Sequence, residues 1–219
     1  MKISKSNLQI AIDGPVAAGK GTVSKLLAEK LDILYVDTGA MYRALALFVR
    51  DHKLDYHNKH KICTLLKAKK PQVTLEKPRG AQKDGRLTTV YLNHQDVSWS
   101  IRTNAISLGT SIVTAYKCVR AYSLPQQQQL AKRISVVMEG RDITTRVLPE
   151  AHLKIYMDAN LITRAKRRYD QMLSQGELVS LNQVKTQIKQ RDYSDSHRKV
   201  DPLTRTPDSW YLDTTRLTL

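Results

Sequence analysis

A glycine-rich motif lies near the start of the chain: Gly14-Pro15-Val16-Ala17-Ala18-Gly19-Lys20-Gly21-Thr22. It fits the pattern G-x-x-x-x-G-K, with the threonine one place later than in the simplest form of that motif. A short apolar segment, residues 8–12, precedes it and has the composition of a strand buried in a parallel sheet. Over residues 23–31 apolar side chains recur at helical spacing, which predicts a helix that begins near Lys20. The predicted order is therefore strand, glycine-rich loop, helix.

This loop has the chemistry of a phosphate-binding site. Successive backbone N–H groups in such a loop form a concave nest for an anion, and the following helix points its positive end into it. Lys20 would add positive charge at the outer phosphates, and Thr22 would offer its hydroxyl to Mg2+. The alternative, a tight turn with a solvated lysine, is disfavoured by the flanking strand and helix. All nine residues are therefore candidate ligands of a nucleoside triphosphate, with Thr22 as the candidate metal ligand.

The segments that follow repeat the alternation of strand and helix. A second short strand is predicted at residues 33–36 and a helix at 40–50. Further buried strands are predicted at 134–138, 153–157 and 210–212. Alternating strands and helices indicate an α/β protein with a parallel sheet and helices on both faces.

Residues 53–99 interrupt this rhythm. They contain two short strand-like segments, 73–75 and 88–92, separated by proline and glycine. We interpret the stretch as a small inserted subdomain with antiparallel strands. Two helices are then predicted, at 103–116 and 119–133, and Pro125 is expected to kink, cap or interrupt the second of them.

The charge balance favours polyanionic partners without choosing among them. Lys and Arg exceed Asp and Glu by 36 − 20 = 16, and the pI is about 9.9. Nucleic acid, a membrane surface and phosphorylated metabolites all fit such a chain. Residues 50–86 hold 11 bases and 4 acids, but no series of aromatic residues alternates with them as stacking platforms would. A solvated basic face is the favoured interpretation, and no specific nucleic-acid binding is predicted.

The cysteine spacing predicts neither a disulfide framework nor a zinc site. Cys63 and Cys118 are 55 positions apart and share no metal-type spacing with each other or with the six histidines. A reducing compartment fits best. The apolar stretch near the N-terminus is short, and no run of 18 apolar residues occurs, so no signal peptide, membrane span or membrane partner is predicted. We expect a cytoplasmic, monomeric protein.

Three clusters combine arginine with aspartate, at residues 37–43, 140–142 and 191–198. The first two follow predicted strands, where ligands bind in open α/β sheets. Arginine can form a fork onto phosphate, and a carboxylate can accept from an exocyclic amine or a ribose hydroxyl. Such clusters therefore suit a nucleoside monophosphate.

A fourth cluster is purely basic. Arg164, Arg167 and Arg168 share one helical face by their i, i+3, i+4 spacing. Arginine at a transferring phosphoryl group accelerates transfer by about 10³ to 10⁵. The face is a candidate for closure over that group, with an ordinary exposed basic helix as the alternative.

Taken together, the motifs resemble the bacterial cytidylate kinase family. The strings are DGPVAAGKGT, VDTGAMYR, SIRTNAIS, EGRDI, RAKRR and QIKQRDYSDSHRKVDPL followed by YLDTT. They occur in the family's order and span residues 9–215. Each is weak alone, whereas six in order are specific.

The resemblance implies a P-loop nucleoside-monophosphate-kinase fold in a single domain, residues 1–219. Five parallel strands would form its core, residues 53–99 the inserted monophosphate-binding subdomain, and residues 160–176 a short mobile lid. By their place in the matching motifs, the acceptor-binding residues would be Thr38, Arg43, Ser111, Arg120, Asp142, Arg191, Asp195 and Arg198. Of these, Thr38, Ser111 and Asp142 would contact the cytosine and ribose, and the arginines the phosphate. The groups that act on the transferred phosphoryl would be Lys20, Asp142, Arg164, Arg168 and Arg191.

Some positions depart from the family pattern. Ala17 stands where glycine is common, although alanine still lets the backbone close on phosphate. Thr144 replaces a frequent glycine, which is expected to alter how the turn presents Asp142. Asn93 and His94 occupy a hairpin position where glycine is more frequent, and asparagine tolerates a positive φ there. The family usually adds a final helix after the strand near residue 212, so packing at that edge is the feature expected to differ.

The leading hypothesis from the sequence is a kinase that uses ATP and Mg2+ to phosphorylate CMP or dCMP. One alternative is a kinase of the same fold for another small acceptor such as UMP. The other is a basic P-loop ATPase that binds nucleic acid. The three hypotheses predict different requirements for ADP formation: CMP or dCMP for the first, another small acceptor for the second, and nucleic acid for the third.

Overall fold

The computed structural model describes residues 7–86, 88–174 and 176–218. The strands are β1 (Gln9–Asp13), β2 (Leu34–Asp37), β3 (Val73–Glu76), β4 (Thr89–Leu92), β5 (Gln95–Asp96), β6 (Val136–Gly140), β7 (Leu153–Asp158) and β8 (Trp210–Asp213). The helices are α1 (Lys20–Leu31), α2 (Thr38–Asp51), α3 (Lys59–Lys69), α4 (Asn104–Val113), α5 (Lys117–Arg133), α6 (Leu161–Ser174) and α7 (Leu181–His197). No helix among these described residues is long and apolar enough to cross a membrane.

Five strands form one sheet in the order β2-β6-β1-β7-β8. Strand β7 pairs in parallel with β1 on one side and with β8 on the other, and Asp13 lies opposite Tyr156 in the first of these pairs. The α/β fold with a five-stranded parallel sheet is confirmed. The predicted strands agree with the observed ones to within two residues at their ends, because short apolar runs bounded by turn residues mark such strands clearly.

The chain divides into two compact units. The P-loop unit comprises Ile10–Leu26 and the described residues from Glu139 onward. The insertion unit comprises Leu27–Met138 and the described residues up to Gln9. The predicted ranges of the single domain, the inserted subdomain and the lid stay predictions.

In the insertion unit, α2 is the central element. It packs against β3, β4, α4 and α5 and buries most of its residues. Strands β3, β4 and β5 form an antiparallel sheet, as residues 73–75 and 88–92 predicted. Asn93 and His94 make the hairpin turn between β4 and β5, both with positive φ. The Asn93 side chain also accepts a hydrogen bond from the Gln72 N–H at 2.8 Å, which links the turn to the start of β3.

Helix α5 runs unbroken through Pro125, so an interruption there was the wrong expectation. Proline removes one backbone hydrogen bond from the helix. The helix packs against α2, α3 and β3, and Ser123 and Gln127 are buried on either side of the proline. Tertiary packing, which supplies most helix stability in proteins, compensates for the lost bond.

A second correction concerns the cysteines. Cys63 on α3 and Cys118 on α5 form a disulfide, although their spacing predicted none. Their Cα atoms are 5.7 Å apart, within the range that a disulfide spans. A separation of 55 residues in sequence carries no information about this proximity, because the packing of α3 on α5 creates it.

In the P-loop unit, α6 and α7 pack along each other. Their interface buries Ala165 and Met172 of α6 against Val184 and Ile188 of α7, and Val16 of the glycine-rich loop packs on this cluster. Helix α7 begins with a capping box at Ser180, which fixes the start of the helix. Asp192, near the end of α7, forms an ion pair with Arg164 of α6.

Candidate active site

The glycine-rich loop leaves β1 at Gly14, and only glycine fits there. Its φ is +150°, and a Cβ at this position would overlap the carbonyl oxygen of Met157 on β7. Ala17 lies in the left-handed region with φ of +60°, and Gly19 has φ of +94°. The loop therefore turns through three residues of positive φ, and alanine at position 17 accommodates the turn.

Lys20 begins α1 with its side chain turned back into the loop. The ammonium group donates to the carbonyl oxygen of Pro15 at 2.7 Å, and the residue is only 6% exposed. Burial, followed by the charge of Arg141, lowers the pKa of Lys20 to about 7, although the charges of Glu139 and Asp13 oppose this shift. The buried ammonium, which lies beside the Pro15 carbonyl oxygen, is a suitable partner for an anion bound in the loop.

Asp13, the last residue of β1, is fully buried and anchors the turn that follows β6. Its carboxylate accepts from the Ile143 N–H at 3.0 Å and from the N–H and hydroxyl of Thr144, both at 2.7 Å. Burial raises the pKa of Asp13, and the bonds from Thr144 and Ile143 partly offset that rise. This role of Asp13 was not predicted. A buried acid at the carboxyl end of a predicted strand was the signal that could have found it.

The Thr144 side chain therefore has a structural role that glycine could not fill. Its hydroxyl donates to Asp13 and so anchors the π-helical turn Ile143–Val147, which begins directly after Asp142. Asp142 itself is buried.

Arg141 and Asp142 meet the end of α7 in a network of alternating charge. Arg141 donates to Asp195 at 2.7 Å, and Arg198 lies 3.5 Å from Asp142 and 4.0 Å from Asp195. Burial would raise the pKa of Asp195, but the charges of Arg141, Arg191 and Arg198 outweigh it, so this pKa is lowered. The structure thus brings together four predicted acceptor residues, Asp142, Arg191, Asp195 and Arg198. It adds Arg141, which the motif contained but the prediction left out.

The arginines of the basic face predicted on α6 have different partners in the structure. Arg164 is buried, donates to the carbonyl oxygens of Ala159 at 2.8 Å and Val16 at 3.3 Å, and forms an ion pair with Asp192. Arg168 donates to Gln171 on the same helix at 2.9 Å. Arg164 therefore braces the backbone of the glycine-rich loop, a contact that periodicity does not predict.

Arg167 binds the other side of that loop through Thr214. Its guanidinium donates to the Thr214 carbonyl oxygen at 2.6 Å, and the Thr214 hydroxyl donates to the carbonyl oxygen of Ala18 at 2.9 Å. The loop backbone between Val16 and Ala18 is thus held by α6 and by the residue that follows β8.

Thr22 presents its side chain to solvent in the first turn of α1. Within the described residues there is no group of three or more His, Cys, Asp or Glu side chains that could hold a metal ion. A single exposed hydroxyl beside the loop fits Mg2+ that is held mainly by phosphate oxygens and water, the way this ion usually binds.

In the insertion unit, the start of α2 carries a second charged cluster. Thr38, the first residue of α2, is buried, and Arg43 pairs with Asp37 at 2.6 Å. Burial would raise the pKa of Asp37, but the charge and hydrogen bond of Arg43 and the charge of Arg102 lower it. The Nε of Arg43 is buried and has no hydrogen-bond partner among the described residues.

The other two residues predicted to bind the acceptor in this unit, Arg120 and Ser111, differ in burial and in contacts. Arg120, in the first turn of α5, is 3% exposed, and its guanidinium lies 5.5 Å from the ring centre of Tyr42 on α2. Ser111 is exposed near the end of α4, and its hydroxyl donates to the Ser107 carbonyl oxygen at 3.3 Å within the helix. The structure thus places Arg120 beside α2, whereas the Ser111 hydroxyl is engaged within its own helix.

The fold and the loop define the class of protein: an α/β P-loop protein whose phosphate-binding loop is followed by a buried lysine and neighboured by an arginine–aspartate network. The family model described as cytidylate kinase matches residues 10–219. The chain belongs to the cytidylate kinase family.

Curated relatives agree over nearly the whole chain. The cytidylate kinase of Leuconostoc mesenteroides subsp. mesenteroides is 40% identical, covering 96% of this chain and 90% of that protein. The cytidylate kinase of Lactobacillus gasseri is 42% identical, with 97% and 89% covered, and that of Bacillus cereus strain B4264 is 43% identical, with 97% and 91% covered. Among solved structures, the chain is similar to the crystal structure of TT1252 from Thermus thermophilus, with a TM-score of 0.42, 19% identity, and 95% and 88% of the two chains covered.

Proposed function

We propose that the protein transfers the γ-phosphoryl group of ATP to CMP or dCMP, giving ADP and CDP or dCDP. The observation that carries the proposal is the buried Lys20 ammonium inside the P-loop, in a chain of this family. An oxygen of the acceptor phosphate attacks the γ-phosphorus in line, and no covalent enzyme intermediate forms. In such a reaction the protein positions the two phosphates and neutralises charge.

The donor phosphates bind in the loop, residues Gly14 to Thr22. Backbone N–H groups and the positive end of α1 contact the β- and γ-phosphates, and Lys20 exchanges its bond to Pro15 for the phosphate oxygens. Thr22 and water would hold Mg2+ against these oxygens, where the ion neutralises the charge that develops during transfer.

The acceptor is recognised by two sets of residues. In the P-loop unit, Asp142 and Asp195 accept hydrogen bonds from the cytosine amine or the ribose hydroxyls, and Arg191 and Arg198 contact the phosphate. The Arg/Asp network supports this assignment for Asp142, Asp195 and Arg198, because their ion pairs already hold these side chains with little exposure. Arg191 is exposed one turn before Asp195 on α7.

In the insertion unit, the proposed phosphate ligands are Arg43 and Arg120, with Thr38 and Ser111 on the cytosine side. The buried, unpartnered Nε of Arg43 supports the assignment, since an unsatisfied buried donor is costly unless a ligand supplies the acceptor.

For the lid, residues 160–176, the proposed role is to cover the donor phosphates. Arg168 can reach them by a side-chain rearrangement, because its hydrogen bond to Gln171 is a local one within α6. Arg164 acts from beneath the loop, through Val16 and Asp192.

The first test is ADP formation from ATP and Mg2+ with CMP, dCMP, UMP, AMP, GMP, shikimate or no acceptor. Strong preference for CMP and dCMP is the expected result. ADP that forms without an acceptor, or only with added nucleic acid, would instead indicate a basic ATPase. Lys20→Ala should abolish turnover, with Lys30→Ala, an exposed lysine of the same helix, as the matched control. A folded Lys20→Ala protein with wild-type turnover would overturn the mechanism.

The second test separates base recognition from phosphate transfer. Asp142→Ala should lower kcat/KM for CMP more than for UMP, by about 10- to 100-fold, because a charged hydrogen bond to the cytosine amine is worth about 1.5–3 kcal/mol. Asp208→Ala is the control, since Asp208 pairs with Lys154 in the same unit and has no proposed contact with the acceptor. Equal losses for the two acceptors would show that Asp142 does not recognise the base.

A further inference from the structure

The disulfide between Cys63 and Cys118 joins two helices of the insertion unit. Cys63 lies in the middle of α3, and Cys118 is the second residue of α5. Both residues are half-buried, and each adjoins a fully buried neighbour, Ile62 on α3 and Val119 on α5. The two cysteines therefore lie at the border between the packed interior and solvent, which is compatible with access by a small reagent.

The surroundings favour reaction at Cys118. A reduced cysteine in the first turn of a long helix gains from the positive end of the helix dipole, which favours the thiolate. Lys117 directly precedes Cys118, and α3 carries Lys59 and Lys67 four residues to either side of Cys63. Helix α3 has no acidic residue at all, so its charge also favours a sulfur anion.

We propose that Cys63 and Cys118 form a thiol–disulfide exchange site whose oxidised state holds the first turn of α5, and with it Arg120, against α3. The oxidant is a low-molecular-weight disulfide, RSSR. The Cys118 thiolate attacks one sulfur of RSSR and releases RS⁻, leaving a mixed disulfide on Cys118.

The Cys63 thiolate then attacks the Cys118 sulfur, forms the intramolecular bond and releases a second RS⁻. The two cysteines lose two protons and two electrons, and RSSR is reduced to two RSH. A dithiol such as dithiothreitol reverses the exchange and is itself oxidised to a disulfide.

The disulfide lies close to Arg120 in the chain. Arg120 follows Cys118 by two residues in the same helical turn, and its guanidinium lies over the ring of Tyr42 on α2. The Tyr116 hydroxyl donates to the Tyr56 carbonyl oxygen at 3.0 Å, which is a second, weaker tie between the start of α5 and the segment before α3. Reduction removes the covalent tie and leaves the hydrogen bond, so the first turn of α5 gains freedom.

The consequence for catalysis rests on the proposed role of Arg120 as a ligand of the acceptor phosphate. If Arg120 moves with the first turn of α5, reduction raises KM for CMP by about fivefold or more and leaves KM for ATP unchanged. The oxidised protein should also unfold at a temperature about 5–10 °C higher, because the bond closes a long loop of the unfolded chain.

The exchange itself is tested by mass, without any assay of activity. The full chain is equilibrated in glutathione buffers from fully reduced to fully oxidised and then treated with N-ethylmaleimide. Intact mass spectrometry should show two labels at the reducing end and none at the oxidising end. Cys63→Ser and Cys118→Ser should each take up one glutathione instead. Two labels in the folded wild-type protein at the oxidising end would overturn the proposal.

The kinetic arm uses direct chromatography of CDP and ADP, so that no coupling enzyme meets the redox buffer. The double variant, Cys63→Ser with Cys118→Ser, is the control and should not respond to the buffer. A disulfide that forms without changing KM for CMP would overturn the coupling to Arg120. Absence of CDP formation in both redox states would instead contradict the proposed function and leave the mass result intact.

Discussion

Thr144→Val is the substitution that tests the anchoring of the turn after β6. Valine has nearly the shape of threonine but lacks the hydroxyl, so the change removes one hydrogen bond without leaving a large cavity. In the native protein that hydroxyl donates to the Asp13 carboxylate at 2.7 Å, and Asp13 is 0% exposed. Water cannot easily replace the lost donor at such a site.

The expected magnitude follows from the partners. A hydrogen bond to a charged group contributes about 1.5–3 kcal/mol, and the backbone bonds from Ile143 and Thr144 remain. We therefore expect Thr144→Val to lower the free energy of unfolding by about 2 kcal/mol. For a chain of this length, that corresponds to a fall in Tm of about 4–8 °C.

Thr145→Val supplies the matched control one residue along the same turn. The Thr145 hydroxyl oxygen is buried and has no hydrogen-bond partner among the described residues, so its loss should be neutral or slightly stabilising. Thr144→Ser keeps the hydroxyl and should retain most of the stability. Thermal and urea unfolding of the three variants would measure the differences.

The pH dependence provides a second check on the same bond. The hydroxyl bond favours ionised Asp13, so its removal raises the already raised pKa of Asp13 further. The stability lost in Thr144→Val should thus be greatest where Asp13 is ionised in both proteins and should shrink as the pH falls and Asp13 takes up a proton. Equal effects of Thr144→Val and Thr145→Val at neutral pH would refute the reasoning.

Three further predictions concern the loop. Because the pKa of Lys20 is lowered to about 7, part of this side chain is a neutral amine near neutral pH, and ATP binding should draw a proton onto it. Titration calorimetry in two buffers of different ionisation enthalpy would detect this uptake; Lys20→Arg stays charged and should take up none. In the free protein the same shift means that the unfolded chain binds more protons between about pH 7 and 10.5, so the contribution of Lys20 to stability should rise with pH across that window. Gly14→Ala should abolish ATP binding and lower Tm, since its Cβ would overlap the Met157 carbonyl oxygen; Gly85→Ala, at a positive φ with open space around it, is the control for backbone strain alone. Unaltered ATP affinity in Gly14→Ala would contradict the close approach of the two backbones.

The phosphate-binding loop could be predicted from sequence because its determinants are contiguous. Glycines at positions 14 and 19 permit the backbone turns, and Lys20 follows at a set spacing. The same holds for the hairpin at Asn93, where a residue that tolerates positive φ is needed locally. These features depend on the conformation of a few consecutive residues.

The Arg/Asp network was predicted in part. Arg191, Asp195 and Arg198 follow one another along α7, so a motif could find them. Their partner Arg141 is 54 residues before Asp195, and only the packing of the P-loop unit shows that the two side chains are bonded. The ion pair between Arg164 and Asp192 was not predicted either, because packing brings together two residues that are distant in sequence.

The sequence was enough to predict the order of strands and helices, the position of the glycine-rich loop, and the family. The strands and helices follow from the periodicity of apolar residues and the loop from local backbone preferences, whereas the family follows from the resemblance of six motifs in order. The tertiary structure alone decided that Asp13 holds Thr144, that Cys63 meets Cys118, and that α5 continues through Pro125. Each of these features depends on groups that packing brings together from distant parts of the sequence. Burial excludes water at such places, so the stability of the local structure depends on a single partner that is distant in sequence.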